Sequence, residues 1–386
     1  MRITVIADDL TGAAEIGGIG IKYGLEVEIS RNVNTASPAD MLVINTDARS
    51  MNEANAIEVT RKVSEQLKTL NPKFVFKKTD SVLRGHVFAE IAAQCKAMNF
   101  SSAIIVPANP SLGRTLVNGH YYINNTPIHQ TSFKDDPEFP VTHSHILTRF
   151  NSSPYPFSVL PHFDYTNNEA IIVGEAEVQG DLNNWADKLT NCTLAAGAAG
   201  FFTACLNKLL GEPQGGNNTV DEFSLAGSIL YISGSTFKPS VTLIQELNAG
   251  NGPVSYMPEN VAILGNADEM LLNDWADETT SLIEQRGKAV MSIPDTNDAH
   301  TGDGALHKRS VMALAVKKVF NKVQVNELVI EGGSTAAAIL DLLNVHTMVP
   351  VQELAPGVIR SAVPNTNLHI TLKPGSYSWS KSIWAF

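Results

Sequence analysis

The feature that most constrains the fold of this chain is a repeated alternation between short apolar strands and amphipathic helices. Ile3–Ala7, Met41–Asn45 and Lys73–Phe76 have the length and composition of buried strands, and segments with helical apolar spacing lie between them. A second alternating series starts near residue 170 and includes the strand Ile229–Ser233 and the helix Thr335–Leu343. Because parallel strands are joined by helical crossovers, this pattern predicts sheets with helices on both faces. We therefore expect an α/β protein with two α/β domains, largely parallel sheets and a substrate cleft between the domains.

The length of the chain, 386 residues, exceeds what one ordinary core supports, so two domains are the natural expectation. We predict an N-terminal domain over residues 1–160, a connecting region over 161–225 that packs partly on the second domain, and a C-terminal domain over 226–386. Between Pro107 and Pro161 the periodicity fails. The aromatic residues of that stretch indicate an ordered segment that covers the substrate rather than a loose linker.

Composition and charge exclude several classes of protein. Hydrophobic residues make up 44% of the chain and charged residues 17%, as is typical of a well-packed globular protein. The formal net charge of -11 disfavours nucleic acids and anionic membrane surfaces as partners. The three cysteines form no CxxC pair, so neither a disulfide framework nor a zinc site is expected. No apolar run approaches the roughly 20 residues that span a bilayer, and the first strand begins too early for a signal peptide, so we expect a cytoplasmic protein. The sequence leaves the oligomeric state open, with a homodimer as one option.

Acidic and basic side chains follow three of the predicted N-terminal strands. Asp8 and Asp9 follow the first strand, Asp80 and Arg84 follow a later one, and Arg114 follows the next. Ligands bind outside the carboxyl ends of parallel strands, so these groups are expected to meet at one site. Guanidinium groups suit a carboxylate, while aspartates suit hydroxyl groups or act as bases. The pattern favours a pocket for a polyhydroxy acid.

Each of these residues also has a purely structural interpretation. One aspartate of the Asp8-Asp9 pair can cap the helix that follows it. Asp80 and Arg84 can form a local ion pair, and Arg114 can form an ion pair at the surface. The joint pattern, rather than any single residue, therefore supports the functional interpretation.

Turns of small residues follow strands in the C-terminal half. Tyr231–Thr236 and Val329–Thr335 each run from a strand through glycine and hydroxyl residues into a helix, and Lys373–Ser376 adds a third glycine turn. Backbone N–H groups and hydroxyl side chains at a helix N-terminus bind phosphate, so these turns predict a nucleotide site. The chain contains neither a Walker A loop nor a GxGxxG fingerprint.

Together these segments resemble the four-carbon acid sugar kinase family over nearly the whole chain. The matching stretches are Ala7–Ala13, Thr79–Ser81 with Arg84-Gly85, Pro107–Thr115 with Gly119, Asp136–Val141, Gly197–Gly200, Ser233–Ser235 and Gly332–Thr335. The N-terminal stretches are specific, whereas the C-terminal ones are short and looser. The resemblance implies an enzyme: an ATP-dependent kinase that phosphorylates a hydroxyl of a sugar acid such as threonate, erythronate or 3-oxo-tetronate.

The resemblance also implies that the N-terminal domain binds the acid sugar and the C-terminal domain binds ATP. The acid-sugar site would be lined by Ser81, Arg84, Gly85, Arg114 and Thr115, with Asp8, Asp9 or Asp80 as the general base. The nucleotide site would be lined by Ser235, Gly332, Gly333, Ser334, Thr335, Gly357 and Gly375. Mg²⁺ would bridge the ATP phosphates, and the sequence identifies no protein ligands for it.

The last glycine segment departs from the family pattern. Lys373–Ser378 reads Lys-Pro-Gly-Ser-Tyr-Ser, where the family usually has Lys, a small residue, Gly and then Phe-Gly. This departure keeps a second interpretation open, a non-catalytic relative that binds acid sugars and has a degraded nucleotide site. An NAD-linked hydroxy-acid dehydrogenase ranks last, because the dinucleotide fingerprint is missing.

Overall fold

The computed structural model describes residues 2–136, 138–166, 170–213, 225–263, 268–294, 302–375, 377–380, 383–384 and 386. The chain divides into two units, Met1–Gly216 and Asn217–Phe386. Each unit contains a mostly parallel sheet with helices, so the predicted α/β class and the two-domain organisation are confirmed. The substrate cleft between the domains stays a prediction.

In the first unit, strands and helices alternate along the chain as the sequence pattern predicts. The strands are β1 (Ile3–Ala7), β2 (Val27–Ser30), β3 (Met41–Asn45), β4 (Phe74–Lys78), β5 (Ser102–Val106), β6 (Arg114–Val117), β7 (His120–Ile123), β8 (Thr126–Pro127), β9 (Ser158–Leu160), β10 (Ile171–Gly174) and β11 (Thr193–Gly197). The helices are α1 (Leu10–Lys22), α2 (Glu53–Lys68), α3 (Val87–Met98), α4 (Ile146–Arg149), α5 (Gln179–Asp187) and α6 (Ala199–Leu210). Parallel strands lie in the order β2-β3-β1-β4-β11-β5-β10-β9, and β6-β7-β8 form a small antiparallel sheet.

The first strand lies between β3 and β4 in this sheet and is buried along its whole length. Helices cover both faces of a parallel sheet, which explains why β1 reads as a continuous apolar run. The following helix α1 packs closely on the sheet, because a Cβ at Gly20 would lie 2.3 Å from Met41 Cε and 2.8 Å from Val27 Cγ2. Gly24 has a positive φ of 71° just beyond the end of this helix, a conformation that favours glycine.

The stretch from residue 107 to residue 161 contains more secondary structure than its lack of periodicity suggests. Asn118-Gly119 joins β6 to β7 and Asn124-Asn125 joins β7 to β8, and all four residues have positive φ, as tight hairpin turns require. The strands β6, β7 and β8 are too short to show a clear alternating pattern. Tyr121 is buried in the core together with Phe88 and Ile105, so this stretch is part of the folded unit.

The region 161–225 differs from the prediction of a connector that packs partly on the second domain. Strands β10 and β11 both hydrogen-bond to β5, and β11 also hydrogen-bonds to β4, so both lie inside the first sheet. The first unit accordingly extends to Gly216. Local patterns locate strands but do not specify their order, and this order places β11 between β4 and β5. Residues 214–224 of the predicted connector lie outside the described residues.

The second unit continues the alternation and ends in an antiparallel edge. Its strands are β12 (Ile229–Ser233), β13 (Val254–Tyr256), β14 (Lys288–Ser292), β15 (Glu327–Glu331), β16 (Thr347–Ala355), β17 (Val358–Ala362) and β18 (His369–Lys373). Its helices are α7 (Lys238–Ala249), α8 (Glu259–Ala262), α9 (Glu269–Arg286), α10 (Gly302–Phe320) and α11 (Gly333–Leu342). Strands lie in the order β13-β14-β12-β15-β18-β17-β16, parallel as far as β18 and antiparallel beyond it. Ile244 of α7 packs with Tyr231 and Val290 on one face of this sheet.

Both units share one strand order in the first four strands that each contributes along the chain. In the first unit the chain moves from β1 two positions along to β2, returns through β3 and crosses to β4 on the other side of β1. The strands β12, β13, β14 and β15 repeat this path in the second unit. The order therefore reverses between β1 and β4, and again between β12 and β15. Ligands in open α/β sheets bind at the carboxyl ends of the strands beside such a reversal, which gives each unit one candidate site.

Candidate active site

Asp9 caps the first helix at the carboxyl end of β1. Its Oδ1 accepts a hydrogen bond from the N–H of Gly12 at 2.9 Å, and its Oδ2 accepts one from Thr11 Oγ1 at 2.6 Å. A Cβ at Gly12 would lie 2.6 Å from Asp9 Oδ1 and 3.1 Å from Lys78 Nζ, so the absence of a side chain there permits the cap. The capping interpretation of the Asp8-Asp9 pair therefore holds for Asp9.

Arg49, absent from the predicted site residues, holds both aspartates. Its guanidinium donates to Asp8 through Nε and Nη2, both at 3.1 Å, and to Asp9 Oδ2 through Nη1 at 3.0 Å. The same Nη2 lies 3.7 Å from Asp80 Oδ1. One guanidinium thus connects the carboxylates that follow β1 with the carboxylate that follows β4. Its position just after the end of β3 is the sequence signal that could have found it.

Asp80 and Arg84 form the local ion pair that the sequence allows. Arg84 donates to Asp80 through Nε at 2.9 Å, through Nη2 at 2.8 Å and through its backbone N–H at 3.1 Å. Its Nη1 donates to Asp136 Oδ2 at 2.7 Å. Arg149 stabilises the same turn, because its guanidinium donates to the carbonyl oxygens of residues 82 and 83 at 2.6 and 3.0 Å. The guanidinium of Arg84 is therefore shared between two protein carboxylates.

Neighbouring cations keep two carboxylates of this buried cluster, Asp9 and Asp80, ionised. Burial alone would raise the pKa of Asp80, but the charges of Arg84 and Arg49 hold it well below its ordinary value. Burial alone would also raise the pKa of Asp9, but the charges of Arg49 and Lys78 lower it below its ordinary value. Both carboxylates are consequently anionic at neutral pH. They can accept hydrogen bonds from the hydroxyl groups of a ligand.

Arg114 differs from its neighbours because none of its described contacts is with a carboxylate. Its Nη1 donates to Ser81 Oγ, which follows Asp80 in the chain. Gly85 also borders the cluster, since a Cβ there would lie 3.2 Å from Arg49 Cγ. The structure thus brings together the predicted residues of the first unit, with one exception. Thr115 lies on β6 opposite Tyr122, and no described hydrogen bond joins its side chain to the cluster.

The predicted nucleotide residues also lie together, at the strand-order reversal of the second unit. Ser235 Oγ donates to the carbonyl oxygen of Gly375 at 3.4 Å. The N–H of Gly332 donates to the carbonyl of the last residue of β18 at 2.9 Å. A Cβ at Gly375 would lie 3.8 Å from both Gly332 Cα and Ser235 Oγ, and a Cβ at Gly234 would lie 2.7 Å from Thr335 Oγ1. The turns after β12, β15 and β18 therefore form one contiguous surface.

This surface includes the N-terminus of α11. Gly332 precedes the helix with a φ of 95°, a conformation that favours glycine, and Gly333, Ser334 and Thr335 form the first turn. The free N–H groups of such a turn attract phosphate. Gly357 lies in the turn between β16 and β17, where a Cβ would be 3.9 Å from Pro374 Cγ. It therefore borders the glycine turn after β18, whose Ser376 lies outside the described residues.

The described residues contain no group of three or more His, Cys, Asp and Glu side chains that could hold a metal ion. The nucleotide turns offer backbone N–H groups and hydroxyl groups, and the carboxylate beside them, Glu331, bonds to Lys373. Mg²⁺ keeps several of its waters and takes further oxygen ligands from ATP phosphates, so an ion that arrives with the nucleotide would need few protein ligands, and the hydroxyl groups of these turns would be the nearest. In the described part of the chain no helix is long and apolar enough to cross a bilayer. The cytoplasmic location and the homodimer stay predictions.

Two family descriptions match this chain, one in each unit. Residues 3–205 match a sugar-binding N-terminal domain, and residues 230–377 match a nucleotide-binding C-terminal domain. The two matched regions contain the two candidate sites. The division of binding between the domains that the sequence resemblance implies is therefore supported.

Curated relatives are named as kinases of four-carbon sugar acids. The D-threonate kinase of Salmonella typhimurium is 37% identical over 149 residues, which are 38% of this chain and 35% of that protein. The D-threonate kinase of Bordetella bronchiseptica is 35% identical over 154 residues, which are 38% of each protein. These alignments thus cover little more than a third of the length of either relative. The 3-oxo-tetronate kinase of Methylobacterium radiotolerans is 22% identical over 411 residues, covering 98% of this chain and 96% of that protein.

Solved structures with the same fold extend over the whole chain. A protein from Salmonella typhimurium LT2 superposes with a TM-score of 0.76 at 18% identity, covering 98% of this chain and 96% of that one. A protein from Haemophilus influenzae superposes with a TM-score of 0.70 at 20% identity, covering 98% of both chains. At these identities the likeness concerns the fold.

From the two domain matches and the named relatives, this chain belongs to the four-carbon acid sugar kinase family.

Proposed function

We propose that this protein is an ATP-dependent kinase that phosphorylates a hydroxyl group of a four-carbon sugar acid. The observation that carries the proposal is the cluster of Asp8, Asp9 and Asp80 around Arg49, with Arg114 nearby, at the strand-order reversal of the sugar-binding unit. Carboxylates suit the hydroxyl groups of such a substrate, and a guanidinium suits its carboxylate. The names of the relatives, D-threonate kinase and 3-oxo-tetronate kinase, indicate the same class of substrate.

Arg114 is the residue that we assign to the carboxylate of the substrate. Arg49 and Arg84 already pair with protein carboxylates, whereas the described polar contact of the Arg114 side chain is with the hydroxyl of Ser81. A guanidinium bonded to a hydroxyl keeps donors for a second, charged partner. A planar fork of donors can bind both carboxylate oxygens of the sugar acid.

Asp9 is the aspartate that we assign to the reacting hydroxyl. Its side chain is 14% exposed, compared with 4% for Asp8 and 7% for Asp80. Phosphoryl transfer proceeds through a loose transition state, so orienting the hydroxyl matters more than removing its proton early. A carboxylate with a lowered pKa can serve in that role. Asp8 and Asp80 would hold Arg49 and Arg84 in place.

Mg·ATP would bind the surface formed by Ser235, Gly332 and Gly375 in the second unit, with the first turn of α11 facing its phosphates. The chemistry that Mg²⁺ supplies is neutralisation of phosphate charge. The protein's own contribution is to orient the γ-phosphate through backbone N–H groups and the hydroxyls of Ser235, Ser334 and Thr335.

An assay of ADP release tests the proposal. The protein would be incubated with Mg·ATP and, in turn, with D-threonate, L-threonate, D-erythronate and 3-oxo-tetronates. We expect turnover with at least one of these acids and none with the corresponding uncharged four-carbon polyol. Absence of ATP turnover with every acid would contradict the proposal.

The alternative of a non-catalytic binding protein rests on the departure of Lys373–Ser378 from the family pattern. Thermal-shift measurements separate it from the kinase, because only the kinase should be stabilised by Mg·ATP. Stabilisation by sugar acids alone would favour the binding protein.

A further inference from the structure

A buried ion pair lies directly beneath the nucleotide turns of the second unit. Glu331 is the last residue of β15 and Lys373 is the last residue of β18, and both side chains are 0% exposed. Lys373 Nζ lies 2.8 Å from Glu331 Oε1. Each residue immediately precedes one of the glycine turns, so the pair joins the starting points of two turns.

Glu331 also accepts hydrogen bonds at both ends of the third turn, which follows β12. Ser233, the last residue of β12, donates to Glu331 Oε2 at 2.7 Å. Ser240, in the first turn of α7, donates to Glu331 Oε1 at 2.6 Å. The turn that carries Ser235 runs between these two serines. The carboxylate of Glu331 therefore links the two ends of this turn.

Lys373 reaches the turn that follows it. Its Nζ donates to the carbonyl oxygen of Pro374 at 3.1 Å, directly before Gly375, and lies 4.9 Å from the ring centre of Trp379. With Ser233, Ser240 and Glu331, all of them buried, this lysine forms a network of polar side chains. We call these four residues the clasp network.

A buried ion pair contributes little stability in comparison with apolar side chains of similar size, because both charges lose their hydration. The clasp network nevertheless connects three turns that follow three different strands. Directional hydrogen bonds specify geometry, whereas apolar packing is tolerant of small shifts. This contrast separates a role in positioning from a role in stability.

We infer that Glu331 and Lys373 are positioning residues that hold the three nucleotide turns at the spacing required by the ATP phosphates. The inference rests on the proposed function, since it assumes that these turns bind the nucleotide. The two residues act from beneath the turns and through them.

The double variant E331L/K373M tests the inference. Two apolar side chains of similar size replace the pair, so no unpaired charge is left buried, and the thermal unfolding midpoint should fall only by the effect of two buried serine hydroxyls that lose their acceptor. The dissociation constant for a fluorescent ADP analogue and the KM for ATP should both rise roughly tenfold or more, as expected when charge-assisted hydrogen bonds are lost. The KM for the sugar acid should stay unchanged, because its proposed residues belong to the first unit.

The matched control is E327L/R360M. Glu327 begins the same strand β15, and Arg360 Nε donates to its carboxylate at 3.1 and 3.2 Å. Glu327 is buried and Arg360 is 15% exposed, and the pair lies at the opposite end of the strand from Glu331. Its removal should leave nucleotide affinity unchanged. Equal nucleotide affinity in E331L/K373M and wild type, or equal loss in both double variants, would overturn the inference.

The single variant S240A decides the question if E331L/K373M fails to fold. It removes one bond of the clasp and leaves the ion pair intact, and we expect a several-fold rise in the dissociation constant for ADP. An unchanged constant would overturn the inference. A wild-type protein that binds no ADP analogue would contradict the proposed function itself, whereas normal binding by wild type and S240A alike would contradict only the role of the network.

Discussion

Asp9 uses its two carboxylate oxygens for different partners. Oδ1 accepts from the N–H of Gly12 and caps α1, while Oδ2 accepts from Thr11 and Arg49. The side chain therefore has a structural role and a proposed chemical role at once. A substitution that keeps an oxygen for the cap and removes the charge beside Arg49 can distinguish these roles.

Replacing Asp9 with Asn should reduce kcat at least tenfold and should lower the free energy of unfolding, because Arg49 loses one of its carboxylate partners. An asparagine oxygen can still cap the helix, but the charge that faces Arg49 is lost. Replacing Asp9 with Ala removes the cap as well, and should lower the free energy of unfolding by about 1 kcal/mol more than the Asn variant does. Urea denaturation and steady-state kinetics check both variants. Full activity in the Asn variant would refute the role of the Asp9 charge.

Replacing Arg114 with Met should raise the KM for the sugar acid by roughly tenfold to a hundredfold and leave the KM for ATP unchanged. The expected loss is that of a charge-assisted bond to a carboxylate, roughly 1.5–3 kcal/mol. Arg61→Met is the control, because Arg61 lies on the exposed side of α2 and pairs with Glu58 and Glu65. An equal KM for the sugar acid in both variants would show that Arg114 does not bind it.

At the scale of elements, the first turn of α1 lies so close to its capping residue, Asp9, that it has no room for a side chain at Gly12. A Cβ at Gly12 would lie 2.6 Å from Asp9 Oδ1, so alanine there must displace the capping carboxylate and with it the bond to Arg49. Gly180, in the first turn of α5, has no atom within 4 Å of its ideal Cβ position. The two glycines therefore differ in their surroundings although both begin a helix.

Gly12→Ala should lower both the thermal midpoint and the activity. Gly180→Ala should raise stability by up to about 1 kcal/mol, because alanine is a better helix former than glycine and nothing opposes its side chain. Differential scanning calorimetry and the ADP-release assay measure the two effects. Stabilisation of both variants to the same extent would show that the close contact at Gly12 is not important.

Local sequence was a good guide to most elements and a poor guide to a few. β1 and β3 are predicted to the residue, because buried parallel strands read as uninterrupted apolar runs. β6, β7 and β8 were not predicted, because short strands between asparagine turns carry too little pattern. The predicted connector differs from the structure for another reason, since β10 and β11 pair with strands that are distant in the chain and β11 was not predicted.

At the scale of the whole molecule, the loss of stability in acid should depend on the carboxylate cluster around Arg49. The pKa of Asp80 lies below its ordinary value of 3.8 because Arg84 and Arg49 outweigh the effect of burial. A carboxyl with a lowered pKa contributes stability that is complete above the ordinary pKa and is lost as the pH falls through the lowered one. The pKa of Asp9 is also lowered, so its contribution to stability is likewise lost as the pH falls. Glu90 acts in the opposite sense, because burial raises its pKa and its contribution decreases as the pH rises.

The free energy of unfolding should therefore fall steeply below about pH 4, and Asp80→Asn should flatten that fall. Urea denaturation at a series of pH values between about 3 and 7 measures it. The comparison uses the slope rather than the absolute stability, so a less stable variant still answers the question. Parallel pH dependence in wild type and variant would show that Asp80 does not titrate with a lowered pKa.

Strand ends were identifiable from sequence alone, and with them Asp8, Asp9 and Asp80 and the glycine turns at Gly332 and Gly375. Apolar runs and turn residues are local signals, and parallel strands present their carboxyl ends at the same edge. The partners of these groups were not identifiable. Arg49 lies about 40 residues from the aspartates it holds, and the serine at the end of β12 lies 98 residues from Glu331. Such pairs depend on strand order and on which side chains share a buried volume, and these are properties of the folded chain.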